Sequence, residues 1–250
     1  MIDLKSEEEI KIMQEGGRRL KKVVGELLPT IKSRMTTLTI EEKADSLIKK
    51  FGGEASFKKV KGYCWATCLP VNEQVVHTPP SDKVLKNGDI LTIDIGFYYQ
   101  GFHTDYAISL VVGGSKDSRL NKFLQVGRET LAKAIKKVNE NGRIGEISQL
   151  IEKEIYGHGY FIIKRLTGHG IGRQLHEDPY VLGYLDRPVS ETPLIKKGLV
   201  VAIEIIYSLG SEKVIPEDDD DWSLVTKDGS LAACFEHTVA VTGKDTVILT

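Results

Sequence analysis

Apolar residues recur along the chain at two spacings. Ile10, Met13, Gly17, Leu20 and Val24 fall on one face of a helical repeat, and Leu120, Phe123, Gly127 and Ala134 repeat that face. The pattern predicts helices over residues 5–28, 40–51, 117–139 and 144–156. Between them the spacing shortens to that of strands. Residues 91–107 read as two strands joined by a turn, and Asp94 interrupts the first of them between Ile93 and Ile95. Glu204 stands in the same way between Ile203 and Ile205. Such strands have a buried face, and a carboxylate inside one is costly unless something compensates its charge.

The two halves resemble each other at an offset of 110 residues. Gly17 matches Gly127, Gly88 falls on Gly198, Ile93 on Ile203, and Asp94 on Glu204. The strands that follow agree more loosely: Asp105 leads to Val111–Gly114, and Glu236 leads to Val239–Gly243. The expectation is one domain over residues 1–250, built from related halves of about 1–115 and 116–250. Helices would cover the outer face of a curved antiparallel sheet, an α+β architecture. Halves packed about a pseudo-two-fold axis would bring their carboxylates together near that axis.

Asp94, Asp105, His169, Glu204 and Glu236 supply four carboxylates and one imidazole, with no matching Lys or Arg in these strands. That chemistry points to metal ions, and the oxygen-rich set is large enough for two, which sit about 3.5–4 Å apart in dinuclear sites. Taken singly the residues have ordinary explanations. A histidine such as His103 or His158 is most often a packing or surface residue, and a strand aspartate can be a paired core group. No ordinary explanation covers all five together.

Composition narrows the class. The chain is 41% hydrophobic and 28% charged with a formal net charge of −1, which gives no support for wholesale nucleic-acid binding. No stretch approaches the roughly 20 apolar residues of a membrane span, and residues 1–9 lack the basic and apolar regions of a signal peptide. Three cysteines, Cys64, Cys68 and Cys234, suggest reduced thiols and a cytoplasmic setting. Cys64 and Cys68 have no second ligand pair at zinc-site spacing.

His77, the Asp94/Asp105 pair, the Thr167-Gly-His-Gly-Ile-Gly172 motif, Glu204 and the Glu236-His-Thr238 motif together resemble the type I methionine aminopeptidases, the short bacterial form within the pita-bread metallopeptidases. The similarity covers nearly the whole chain. Prolidases, aminopeptidase P and creatinase share the five-ligand pattern but carry an added N-terminal domain, for which Asp94 arrives too early. The type II enzymes carry an insertion between the equivalents of His169 and Glu204, and only 34 residues lie between them here.

The resemblance implies the pita-bread fold and removal of N-terminal methionine from nascent proteins and peptides when the second residue is small. It implies two divalent ions, Mn2+, Co2+, Fe2+ or Zn2+. Asp94 would bind one, His169 and Glu204 the other, and Asp105 and Glu236 both. Glu204 would also shuttle a proton, His176 would donate to the scissile carbonyl, and His77 would bond the scissile nitrogen. Tyr63, Cys68, Leu175 and Trp222 would form the methionine pocket, with His77 at its edge. A cytoplasmic monomer is implied, meeting the N-terminal peptide of nascent proteins near the ribosome exit, with no membrane and no specific DNA as partner.

The chain departs from the family pattern at Thr78, where Gly is general, at Ile205 for Pro, Leu175 for Phe, Cys234 for Gln and Cys64 for Pro. Leu175 in place of an aromatic predicts tolerance of norleucine and other unbranched apolar residues. The run Glu217–Asp221 reads as a solvated acidic loop near the pocket entrance, and Lys58, Lys59 and Lys61 as a solvated face. Two other functions compete: an aminopeptidase of different preference, and a binding module that keeps the fold without catalysis. Non-catalytic relatives characteristically lose metal ligands, and all five are present here.

Overall fold

The computed structural model describes residues 2–217, 220–243 and 245–250. Four helices, α1 (Glu7–Leu27), α2 (Thr37–Lys50), α3 (Ser118–Ile135) and α4 (Ile144–Gly157), appear where the apolar spacing predicts them. Their ends follow capping chemistry. Ser6 and Glu9 form a reciprocal capping box, so α1 starts at Glu7 and leaves Lys5 in the extended segment before it. Thr36 accepts from the Thr39 N–H, which starts α2 three residues ahead of the predicted position. The third helix stops at Ile135 rather than 139, and the chain turns through Asn141 in the left-handed region (φ +71°).

The strands, in chain order, are β1 (Glu54–Ala55), β2 (Thr67–Cys68), β3 (Gln74–Val76), β4 (Ile90–Tyr99), β5 (Phe102–Val111), β6 (Phe161–Ile162), β7 (Thr167–Gly170), β8 (Glu177–Leu182), β9 (Val200–Ser208), β10 (Val214–Pro216), β11 (Leu224–Thr226), β12 (Ala232–Val241) and β13 (Thr246–Ile248). The main sheet is antiparallel in the order β1-β4-β5-β12-β9-β7-β8, with β2 on β4, β6 on β9 and β13 on β12. A small second sheet runs β10-β11-β3. This is the curved, helix-covered α+β sheet expected from the sequence.

Alternation divides the two faces of the main sheet. Leu91, Ile93, Ile95 and Phe97 of β4 pack with α1 and α2 through Leu20, Val23, Ile40 and Ile48. Ile203, Ile205 and Tyr207 of β9, with Phe235 of β12, pack with α3 and α4 through Phe123, Val126, Ile147 and Ile151. Burying one such side chain contributes roughly 1.5–3 kcal/mol. Asp94, Asp105, Glu204 and Glu236 take the alternate positions and turn to the face that the helices leave open.

The glycines paired at the 110-residue offset share backbone features. Gly88 before β4 and Gly198 before β9 both sit in the left-handed region, at φ +94° and +91°. Gly17 and Gly127 are both close-approach points. A Cβ on Gly17 would stand 2.2 Å from the Leu249 carbonyl oxygen, and one on Gly127 2.5 Å from the Phe235 ring.

β5 and β12 pair along a short seam, in register at Glu236↔Ala107 and His237↔Tyr106. Two hydroxyls close this short seam. Thr238 Oγ1 accepts from the Asp105 N–H at 2.8 Å and donates to its carbonyl at 2.9 Å. Ser109 Oγ does the same for Cys234, at 2.9 and 3.0 Å. Among the described residues no helix is long and apolar enough to cross a membrane.

Candidate metal centre

Sheet register assembles the acidic cluster. Asp94 on β4 pairs with Ala107 on β5, Ala107 with Glu236 on β12, and Glu236 with Glu204 on β9. Three carboxylates therefore lie in one cross-strand row. Asp105 is two residues from Ala107 and projects from the same face. His169 on β7 pairs with Ala202, two residues from Glu204, and joins from the other side. Ligand atoms of Asp105, His169 and Glu236 lie within 4.8 Å of one another, and His169 Nε2 is 3.5 Å from Glu204 Oε1.

Hydrogen bonds orient these groups. His169 Nδ1 donates to the Gly170 carbonyl at 2.8 Å, which leaves the Nε2 lone pair facing the carboxylates. Asp105 Oδ1 accepts from the Tyr106 N–H at 2.9 Å. Cys68 is the partner of Asp94 in the β2–β4 register, and its thiol partly offsets the upward push of burial on the Asp94 carboxyl. Asp94 Oδ1 and Glu236 Oε1 are buried without a hydrogen-bond partner among the described residues.

Charge is the difficulty of the arrangement. Burial, and then the neighbouring carboxylates, push Asp94, Glu204 and Glu236 well above the ordinary carboxylate range. Burial drives Asp105 up to about 7 and His169 down to about 3. The described residues lining the cavity above the cluster include no Lys or Arg. Four acids, two of them with an orphaned oxygen among the described residues, and one imidazole presenting a lone pair fit divalent cations, which supply the missing charge and the missing partners.

The cavity has a volume of about 130 Å3. The residues expected to form the pocket and assist the chemistry reach it: Tyr63, Cys68, His77, Leu175, His176 and Trp222 line it together with the five acidic and imidazole groups. The rings of Tyr63 and Trp222 meet edge-on at 5.1 Å, and Tyr63 is anchored through its hydroxyl to the Thr67 carbonyl at 2.8 Å. The small sheet brings in His77, at the end of β3, and Trp222, just before β11. His77 is solvent-exposed and in the left-handed region (φ +57°), which turns it to the cavity rim. His176 stands on the loop between β7 and β8, its ring 4.4 Å from that of His169.

Phe57, Val60 and Val76 also line the cavity and went unrecognised in the sequence. Val76 carried a signal, being next to His77, while Phe57 and Val60 sit in a short turn without periodicity. The seam hydroxyl of Thr238 was equally silent.

The remaining sequence expectations resolve individually. His103 is buried, its Nδ1 2.9 Å from Ser56 Oγ, and His158 is exposed at the end of α4. Ile205 faces the helices and lies away from the cluster. Cys64 is exposed and Cys68 buried. Within the acidic run, Asp218 and Asp219 lie outside the described residues. Glu217 and Asp220 are more than solvated charges. Glu217 accepts from Gln74 Nε2, and Asp220 accepts from the Trp222 N–H and from Ser223, which fixes the turn that carries Trp222.

The family model for metallopeptidase family M24 matches residues 11–243. Methionine aminopeptidase 1 of Bacillus subtilis is 37% identical over 250 residues, all of this chain and 99% of the relative. The crystal structure of a methionine aminopeptidase from Thermotoga maritima superposes with a TM-score of 0.95 at 37% identity, covering 100% of this chain and 99% of that one. A prolidase from Pyrococcus furiosus shares the fold at a TM-score of 0.79 and 22% identity, with 99% of this chain matching 65% of the prolidase.

Proposed function

The chain belongs to metallopeptidase family M24, and from that premise we propose that it removes the N-terminal methionine of nascent proteins and peptides by metal-dependent hydrolysis, preferring a small second residue. One observation carries the reading: a cluster of four carboxylates and an imidazole, its Asp105, His169 and Glu236 buried and two of its oxygens orphaned among the described residues, opens directly onto an apolar cavity. The carboxylates demand cations, and the cavity of Tyr63, Cys68, Leu175 and Trp222 suits an unbranched thioether.

In this reading Asp94, Asp105, His169, Glu204 and Glu236 hold two divalent ions, of the Mn2+, Co2+, Fe2+ or Zn2+ class. Such ions neutralise the acidic set and lower the pKa of a water toward about 7. Glu204 takes the proton of the attacking water on a carboxylate oxygen and delivers it to the leaving amine nitrogen. His176 donates an imidazole N–H to the scissile carbonyl oxygen as negative charge develops there. His77 bonds the scissile nitrogen from the rim. Residues 1–250 form one catalytic domain with related halves, a reading supported by the main sheet running unbroken from β4 to β9. Three free cysteines suit a reducing cytoplasm. A monomer acting on chains that emerge from the ribosome is the working assembly.

The test uses metal-free protein reloaded with each ion in turn and offered Met-Gly-Met-Met and Leu-Gly-Met-Met. The reading expects methionine release alone. Comparable leucine release moves the preference to a broader aminopeptidase and implicates Leu175. No release from either peptide, with metal bound, favours the binding module.

A further inference from the structure

The extended segment before α1 keeps a cation where charge is costly. The Lys5 side chain is 1% exposed. Its ammonium bonds Glu177 Oε2 and the Asp3 carbonyl, the latter at 3.0 Å, and lies 3.3 Å from Asp3 Oδ2. Glu177 directly follows His176. Its other oxygen accepts from the Gln174 N–H at 2.9 Å, closing the turn that carries Leu175 and His176. The lysine stem runs so close to this loop that a Cβ on Gly172 would stand 2.2 Å from Lys5 Cε. The segment is itself anchored, because the Lys5 N–H donates to the Gly198 carbonyl at 2.7 Å. A second pair holds the same loop from outside: Arg173 bonds Glu9, the capping-box residue of α1.

We propose that Lys5 is a positioning residue for His176, acting through Glu177. The ammonium holds the Glu177 carboxylate inward, and that carboxylate holds the turn whose opposite side presents His176 to the cavity. Without the cation, Glu177 has a reason to move to water and to carry the neighbouring backbone with it. A displacement near 1 Å is enough to matter for a group that must meet a reacting carbonyl. The inference rests on the proposed role of His176.

The test is a cycle of wild type, Lys5→Met, His176→Ala and the double variant, all metal-loaded, with Met-Gly-Met-Met as substrate. Lys5→Met is expected to lower kcat by about 10- to 100-fold with KM and metal content near those of wild type. In the His176→Ala background the same change should cost little more. In nuclear magnetic resonance spectra the His176 ring signal of Lys5→Met should shift while that of His237 stays. Full kcat in Lys5→Met, equal losses in both backgrounds, or an unmoved His176 signal overturns the proposal. If Lys5→Met does not fold, Lys5→Met/Glu177→Gln removes both charges, and the same outcomes decide. Active wild type with an unaffected Lys5→Met rejects this inference alone, whereas inactive wild type with metal bound rejects the peptidase reading and this inference with it.

Discussion

Replacing Asp105 with Asn tests whether the acidic cluster is built for cations. Burial raises the Asp105 carboxyl from 3.8 to about 7, while the unfolded chain ionises it near the ordinary value. Between those values the folded, metal-free chain keeps a proton that the unfolded chain has lost. The stability tied to this residue is therefore whole below about pH 4 and is lost as pH rises through about 7. A shift of that size is worth about 4 kcal/mol once the group is fully ionised. Asn keeps the shape and the oxygen that accepts from Tyr106, and it cannot ionise. In metal-free protein the stability of Asp105→Asn relative to wild type should thus move by about 4 kcal/mol in the variant's favour between pH 4 and pH 8. Taking the difference cancels the buried His169 and His103 and the half-buried His237, held down at about 3 for His169 and about 4 for the other two. Relief of Asp94, Glu204 and Glu236, which all feel the Asp105 charge, adds in the same direction. Urea unfolding with a chelator at pH 4, 6 and 8 reads the effect, and excess Mn2+ should reverse the order by stabilising wild type more. A difference that stays constant with pH to within about 1 kcal/mol refutes the reasoning.

Four further outcomes follow from other parts of the molecule. His176→Ala should lower turnover by about 100- to 1,000-fold, the scale for losing one donor to a developing oxyanion, with metal content unchanged; full activity would remove His176 from its role. Thr238→Val strips both hydrogen bonds from the Asp105 backbone and should destabilise the fold by about 1–3 kcal/mol per orphaned group while weakening metal binding about 10- to 100-fold; unaltered affinity by calorimetry contradicts this. Gly127→Ala drives a methyl group into Phe235 and the Tyr207 hydroxyl and should cost about 1–3 kcal/mol; an unmoved denaturation midpoint would show that the contact is slack. Leu175→Phe should narrow the cavity and raise the preference for methionine over norleucine in kcat/KM, and an unchanged ratio would place Leu175 outside the specificity wall.

Much of this architecture was legible because strand alternation is strict. Asp94 and Glu204, each between two isoleucines, announce a sheet with an apolar helix-facing side and an acidic opposite side. The matched glycines 88 and 198 marked equivalent turns, and both adopt the same left-handed conformation. What stayed hidden depends on contacts distant in sequence. Lys5 reads as one more lysine at a helix start, and only the fold brings it to Glu177. Thr238 stood out only as the end of the Glu236-His-Thr238 motif and Ser109 not at all, although their hydroxyls bridge β5 and β12. The small sheet that delivers His77 and Trp222 is made of three-residue strands, too short for periodicity to register. The acidic run looked like loose charge because a turn-forming carboxylate such as Asp220 has the same sequence signature as a solvated one.

The most direct measurement is methionine release from Met-Gly-Met-Met as metal-free protein is titrated with Mn2+. Activity should rise from zero, saturate by about two equivalents, as a dinuclear site requires, and be absent in Asp105→Ala at any metal level. Activity that is full before metal is added, or that survives in Asp105→Ala, would contradict the account.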